Sequence, residues 1–386
     1  MKLSFNPDEV PSPSFVVDRE LLENNLKLLD DVQERAGCKI LLALKGFSMW
    51  GVFDLVSKYL HGTACSSLNE VLLGHHTVGK ENHVYAPAYT DVDFEKILPL
   101  VDHIVFNSVS QWKKFKDKVS VYKQAERKIE CALRVNHGYS EVETDLYNPA
   151  HVNSRLGIPA EHLSVEDFDG VDGLHFHTMC EQGADVLERT INVFEKKCAS
   201  FIDQVKWVNF GGGHHITRPG YDTELLVNLV RDFRKKWNVE VFLEPGEAIA
   251  LNTGFLVSEV LDVLEYPGRP NMIILDCSVT AHMPDVLEMP YRPHVLGGGD
   301  PGEYEYEYLI GGQTCLAGDV AGTWSFPRKL APGDRLVFTD MAHYTMVKTT
   351  MFNGVNHPAI TAWDPKSQHL AILKEFDFED YKNRLS

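Results

Sequence analysis

Membrane-length apolar runs are missing: no segment of the 386-residue chain holds the about 18 consecutive apolar residues of a membrane span. The opening MKLSFNPDEVPSPSF also lacks the apolar stretch of a secretory signal. A cytoplasmic protein with no membrane partner is expected. Cysteine is sparse, at 38, 65, 131, 180, 198, 277 and 315. The number is odd and no two form C-x-x-C, which argues against a disulfide framework and a structural zinc site. Positive charge is in deficit: 37 Lys plus Arg face 55 Asp plus Glu, a net −18. That balance disfavours nucleic acid and would draw cationic ligands. Internal repeats and low-complexity segments are absent as well.

What is present includes a lysine in an unusual place. In ILLALKGFSMW (40–50) an apolar run of the kind that forms a strand buried on both faces ends at Lys45. A buried ammonium without a partner is costly, so the lysine needs a reason. Strand-like runs recur at KILLALK (39–45), HGTACSS (61–67), HVYAPAY (83–89), HIVFNS (103–108), ECALRV (130–135), GLHFH (173–177), WVNFGGG (207–213) and EVFLEPG (240–246). Amphipathic helical patterns fill most gaps, at 67–74, 91–101, 110–119, 185–202 and 223–237. Eight strands alternating with helices predict a (β/α)8 barrel of the TIM type, whose catalytic groups sit at the strands' C-terminal ends. Lys45, Arg134, His177, Gly211, Gly212, Gly213 and Glu244 fall at such ends. Functional residues on so many strand ends fit a closed ring better than the single crevice of an open doubly wound sheet. A helix capped by Asp18 and stopped at Gly37 should precede the first strand. After about residue 250, runs such as FLVSEVLDVLEY, NMIILDCSV and DRLVFTD, split by Gly/Pro turns, predict an all-β domain.

A lysine desolvated at a barrel mouth becomes a nucleophile able to form a Schiff base, although a snorkelling lysine would look the same in sequence. The glycine run after a parallel strand can offer consecutive N–H groups to a phosphate. Glu244 could accept a hydrogen bond from a protonated ring nitrogen. Together these describe a pyridoxal phosphate site. His175, His177, His214 and His215 support a competing reading, a metal-dependent barrel hydrolase, which leaves Lys45 and the glycines unexplained; on the first reading no metal is expected.

Over essentially the whole chain these residues resemble the alanine-racemase-fold (fold type III) pyridoxal phosphate decarboxylases typified by the ornithine and diaminopimelate enzymes, and within them the carboxynorspermidine (carboxyspermidine) branch. The likeness rests on SEVETDLYNPAHVNSRLG (140–157), GLHFHTMCE (173–181), VNFGGGHHIT (208–217), EPGEA (244–248), MPDVLEMPYRP (283–293) and GGQTCLAGD (311–319), in that order. The resemblance implies a cofactor-binding barrel over 18–248 and a β-domain built from 1–17 and 249–386. It implies that Lys45 carries pyridoxal 5'-phosphate, that His177 stacks on its ring, and that Glu244 holds the ring nitrogen's proton. Gly211 to Gly213 and Tyr344 resemble the phosphate ligands, and Arg134 resembles an arginine near the cofactor. Cys315, as acid, and Asp319 resemble residues lent by a second subunit, which implies a homodimer with shared active sites. Two positions depart from the ornithine enzymes, Cys180 for a serine and Glu247 for an arginine, and both departures agree with the carboxynorspermidine branch. The implied activity is decarboxylation of carboxynorspermidine or carboxyspermidine in polyamine biosynthesis, the alternatives being another amino-acid decarboxylase or a racemase on this fold. Substrates with several amines should meet carboxylates; the candidates are Glu141, Glu143 and Asp145, then Glu247, Asp285, Glu288 and Asp319.

Overall fold

Strand register decides what can meet in this chain. In the computed structural model, which describes residues 3–125 and 128–386, the eight strand-like runs form β1 (Lys39–Ala43), β2 (Gly62–Cys65), β3 (Glu81–Tyr85), β4 (His103–Phe106), β5 (Glu130–Asn136), β6 (Gly173–His175), β7 (Trp207–Asn209) and β8 (Glu240–Leu243). Each pairs in parallel with the next, and β8 pairs with β1, so the ring closes. Alternate side chains point inward, and Leu41, Ala64, Val105, Ala132, Trp207 and Phe242 fill the middle as a buried cluster.

The helices follow from local chemistry. Asp18 caps α1 (Arg19–Ala36), its Oδ1 accepting from the N–H groups of Glu20 and Leu21 at 2.9 and 3.1 Å. The helix at Thr223–Trp237 starts from Asp222, whose Oδ1 accepts from Leu225 N–H at 2.9 Å, and ends where Asn238 turns left-handed at φ 51°. Between those bounds Leu226, Val227, Val230 and Phe233 form the buried stripe that packs it down. A short helix at Phe53–Tyr59 has no counterpart among the sequence patterns. After β5 the chain does the opposite: residues 137–172 form a long loop of 3-10 turns and one two-residue strand, Ile158–Pro159, that pairs in parallel with β5, where a helix would be usual. The NPAHVNSRLG stretch lies in that loop.

The barrel belongs to a compact unit spanning Asn24–Ile249; a second unit comprises Met1–Glu23 and Ala250–Ser386. In the second unit Ser14–Asp18 lies between Gly254–Leu264, antiparallel, and Ala359–Asp364, parallel. Sheet pairing continues through Met272–Leu275, Tyr306–Gly311 and Val320–Phe326, with Arg335–Thr339 on Gly254–Leu264. Phe15, Leu256, Ile273, Tyr308, Trp324 and Phe338 are buried at its core. Among the described residues no helix is long and apolar enough to cross a membrane.

Asp18→Ala removes the α1 cap from a buried position, so urea denaturation should show a loss of about 1–2 kcal/mol.

Candidate active site

Lys45 stands just past β1 and Glu244 just past β8, and because β1 and β8 pair, the two flank the seam where the barrel closes. The seam is drawn tight at the mouth. Ala43 N–H donates to Pro245 O at 3.1 Å, and a Cβ on Gly46 would lie 2.7 Å from Gly246 Cα, so a glycine must follow the lysine. The Lys45 side chain opens into a cavity, yet the surrounding walls remove most bulk water. That desolvation, and after it the Arg134 charge, lower its pKa below the usual lysine range, while Glu244 and Glu70 oppose the shift.

Glu244 is held by the two strands that precede β8 in the ring. Its Oε1 accepts from Asn209 Nδ2 at 2.7 Å and its Oε2 lies 3.3 Å from His175 Nε2. Burial alone would raise this carboxyl, but His175, Asn209 and the Lys45 charge outweigh it and keep the group below the ordinary carboxylate range. Asn209 also reaches the other way, its Oδ1 accepting from Gly211 N–H at 2.8 Å. One buried amide therefore ties the glycine turn to the carboxylate. Neither Asn209 nor the His175 pairing follows from residue spacing.

His177 Nδ1 accepts from Gly212 N–H at 2.9 Å, so the one proton of the neutral imidazole lies on Nε2. Burial, then Lys45 and Arg134, hold its pKa well below the usual histidine value. The glycine run thus differs from the expected cradle: Gly211 and Gly212 turn their N–H groups to internal acceptors, and among the described residues only Gly213 of the three leaves its N–H without one. The run is also required sterically, since a Cβ on Gly213 would lie 2.1 Å from Met179 O. Arg134, 5% exposed, stacks its guanidinium 4.5 Å from the Tyr85 ring centroid and donates to His177 O at 3.1 Å. Lys45, Arg134, His175, His177, Glu244 and Arg155 of the long loop line one cavity of about 240 Å³. Arg155 and Tyr85 were not among the sequence candidates.

This set fits a planar, phosphate-bearing pyridine. It has a nucleophilic amine, an ionised carboxylate for a ring nitrogen, a neutral imidazole fixed in one tautomer, and an N–H and guanidinium groups for an anion. The histidines do not fit a metal hydrolase: His175 pairs with Glu244, His177 with Gly212, and His215 Nε2 lies 3.4 Å from Glu247. Among the described residues those four form no metal-ligating cluster.

The remaining candidates lie elsewhere. In the second unit, Cys315 is exposed beside a cavity of about 580 Å³, its N–H donating to Asn353 Oδ1 at 2.7 Å. Tyr344 holds φ 46°, a left-handed backbone uncommon for tyrosine. Asp319, expected among the substrate contacts, is engaged within its own unit. It is 3% exposed, and its oxygens accept from Ser278 Oγ, the N–H groups of Val279 and Thr280, and the N–H and Oγ1 of Thr314. It staples the Cys315 loop. Asp285 and Glu288 both bind Lys348, so a protein ammonium already meets them. In the barrel unit, Glu141 is clasped by Arg189 at 2.6 and 2.9 Å, which holds its pKa down at about 2. Glu247 sits by His215, and Asp145 is exposed on the long loop.

Comparison with known proteins gives the same reading. Residues 14–342 match the family model described as "Pyridoxal-dependent decarboxylase, C-terminal sheet domain". A carboxynorspermidine/carboxyspermidine decarboxylase of Campylobacter jejuni is 42% identical, over 98% of this chain and 99% of its own. A carboxyaminopropylagmatine decarboxylase of Synechocystis is 43% identical, over 97% and 96%. The crystal structure of the Campylobacter jejuni carboxynorspermidine decarboxylase complexed with norspermidine superposes with a TM-score of 0.89 at 41% identity, covering 97% of this chain and all of that one.

Because its folded pKa is depressed, Glu244 stabilises the fold fully above the ordinary carboxylate range, and the contribution is lost as pH falls through the folded value. Glu244→Gln keeps the shape and should lower stability at neutral pH by about 1–3 kcal/mol. Denaturation curves taken between about pH 3 and 7 should also show a flatter acid limb than wild type.

Proposed function

The chain belongs to the pyridoxal-dependent decarboxylases, and from that premise we propose that it decarboxylates carboxynorspermidine and carboxyspermidine, releasing norspermidine and spermidine. What carries this reading is the cavity in which a desolvated Lys45 faces a Glu244 kept ionised, in a chain similar along its whole length to decarboxylases of carboxylated polyamines.

Bound pyridoxal phosphate supplies an electron sink for the carbanion left when CO2 departs. Lys45 would hold it through its amine, which the lowered pKa makes more available as a nucleophile at neutral pH. Glu244, ionised, would accept a hydrogen bond from a protonated ring nitrogen and keep that proton in place. His177 presents a neutral ring whose orientation the Gly212 N–H fixes. Gly213 N–H would donate to the phosphate, a role the resemblance gives to Tyr344 as well, and Arg134 and Arg155 add positive charge to the cavity wall. The apolar neighbours of Lys45 exclude water from the reacting amine.

The protein acts as a homodimer with shared sites in this reading. The partner subunit's Cys315 would be the proton donor to the substrate's α-carbon, and its thiolate would recover a proton from water. Asp319 contributes by holding the Cys315 loop. Distal ammonium groups of the substrate are left to Asp145 and Glu247, or to Asp285 and Glu288 in competition with Lys348. A second substrate, carboxyaminopropylagmatine, is favoured by the 43% identity to an enzyme named for it.

CO2 release should be measured side by side from carboxynorspermidine, carboxyspermidine, carboxyaminopropylagmatine, diaminopimelate, ornithine and arginine. The first two should be turned over within about 10- to 200-fold of each other, since they differ by one methylene, and the last three should fail. Lys45→Ala should abolish both the visible chromophore and CO2 release.

Lys45→Ala and Cys315→Ala proteins, each nearly inactive, should regain about a quarter of wild-type turnover when mixed and refolded, because a hybrid dimer carries one intact shared site. No recovery would place both residues in a site made by one subunit.

A further inference from the structure

The opposite, N-terminal end of the barrel holds polar groups that the chemistry above leaves unused. Lys39, Glu81, His103, Glu130 and Glu240 each open a strand, and His83 pairs in register with His103 across β3 and β4. His83 is 1% exposed and His103 6%. Their rings stack with centroids 3.9 Å apart, and His103 stacks again on Trp207 at 4.6 Å. Yet both nitrogens of His83, Nδ1 of His103 and Oε2 of Glu81 have no hydrogen-bond partner among the described residues. Buried polar atoms so grouped call for a ligand. One ligand atom from each of Glu81, His83 and His103 lies within 4.8 Å of the others.

We propose that Glu81, His83 and His103 bind one divalent transition-metal ion of the zinc class, with water completing a tetrahedral shell. The His2Glu donor set is one of those that hold zinc at open sites, and it does not depend on the cysteine pairs whose absence argued against structural zinc. Both imidazoles are neutral because burial lowers their pKa values, that of His103 to about 3, which is the form a metal requires. Lys39 occupies only Oε1 of Glu81, at 2.9 Å, and its charge is shared with Glu240 at 3.5 Å. Glu130, 3.6 Å from His103, keeps the surroundings acidic. Partial exposure of the Lys39 and Glu81 side chains, 30% and 23%, gives the ion a route from bulk water. The proposed site requires one ring to turn about its Cβ–Cγ bond out of the stack so that the two lone pairs converge. The ion would clasp β3 to β4 and, through His83, brace a wall of the Lys45 cavity.

The holoenzyme, stripped with a chelator and dialysed, should be titrated with Zn²⁺ by calorimetry and with Co²⁺ by visible absorption. One equivalent per chain should bind, with the intense d–d bands of tetrahedral cobalt and a raised melting temperature. Glu81→Gln, isosteric and partly exposed, should weaken binding at least tenfold, and His103→Gln should abolish the cobalt bands, with cofactor absorbance reporting that each variant is folded. If His103→Gln does not fold, Glu81→Gln decides alone. No stoichiometric binding, or unchanged affinity in Glu81→Gln, overturns the site and leaves the pair bridged by water or the ion on surface histidines.

Discussion

An ionised carboxylate inside the barrel is the constraint around which the site is arranged. Burial pushes Glu244 towards the neutral acid, and neighbours on β6 and β7, with the Lys45 charge, reverse that. Parallel pairing sets His175 opposite Asn209, and Asn209 opposite Phe242, so consecutive strands each bring one partner to the carboxylate. The same amide restrains Gly211, and Gly212 orients His177. The carboxylate, the turn and the imidazole are therefore one hydrogen-bonded assembly, in which loss of any member leaves buried polar atoms unsatisfied.

Charge of opposite sign follows from this. With Glu244 negative, Lys45 and Arg134 can sit beside it in a low-dielectric cavity, and the balance among them sets how readily the lysine gives up its proton. The two ends of the barrel then differ in kind. At the C-terminal end the charges line an accessible cavity; at the N-terminal end Lys39, Glu81 and Glu240 pair around the two stacked histidines.

Much of the fold was legible because strand ends carried residues that an apolar strand should not have. All eight barrel strands were visible from short apolar runs, and Lys45, His177 and Glu244 were visible as interruptions of them. What escaped was cross-strand chemistry. Asn209 reads as an ordinary polar residue until register sets it against Glu244, and Tyr85 shows its role only under Arg134. The acids show a further limit: sequence identifies a carboxylate but not its counter-ion. Asp319 and Asp285 are equally acidic in sequence, yet one is saturated by backbone and hydroxyl donors and the other by Lys348. In the second unit Ser14–Asp18, Val320–Phe326 and Ala359–Asp364 were not singled out as strands. The first lies just past Pro11 and Pro13, and the second mixes small residues with Trp324, so neither shows a clean alternation.

The seam between β8 and β1 has a consequence for how the protein matures. Lys45 emerges from synthesis long before Glu244, and the contact of Gly46 with Gly246 forms only when the last strand docks beside the first. Until then the lysine has an amine but no desolvating wall and no counter-charge. Closure has to wait for pairing between residues some two hundred positions apart, the kind of non-local contact that slows folding. Any ligand that needs both groups binds only the closed ring and so favours it by mass action, which makes loading the last step of the barrel's own assembly.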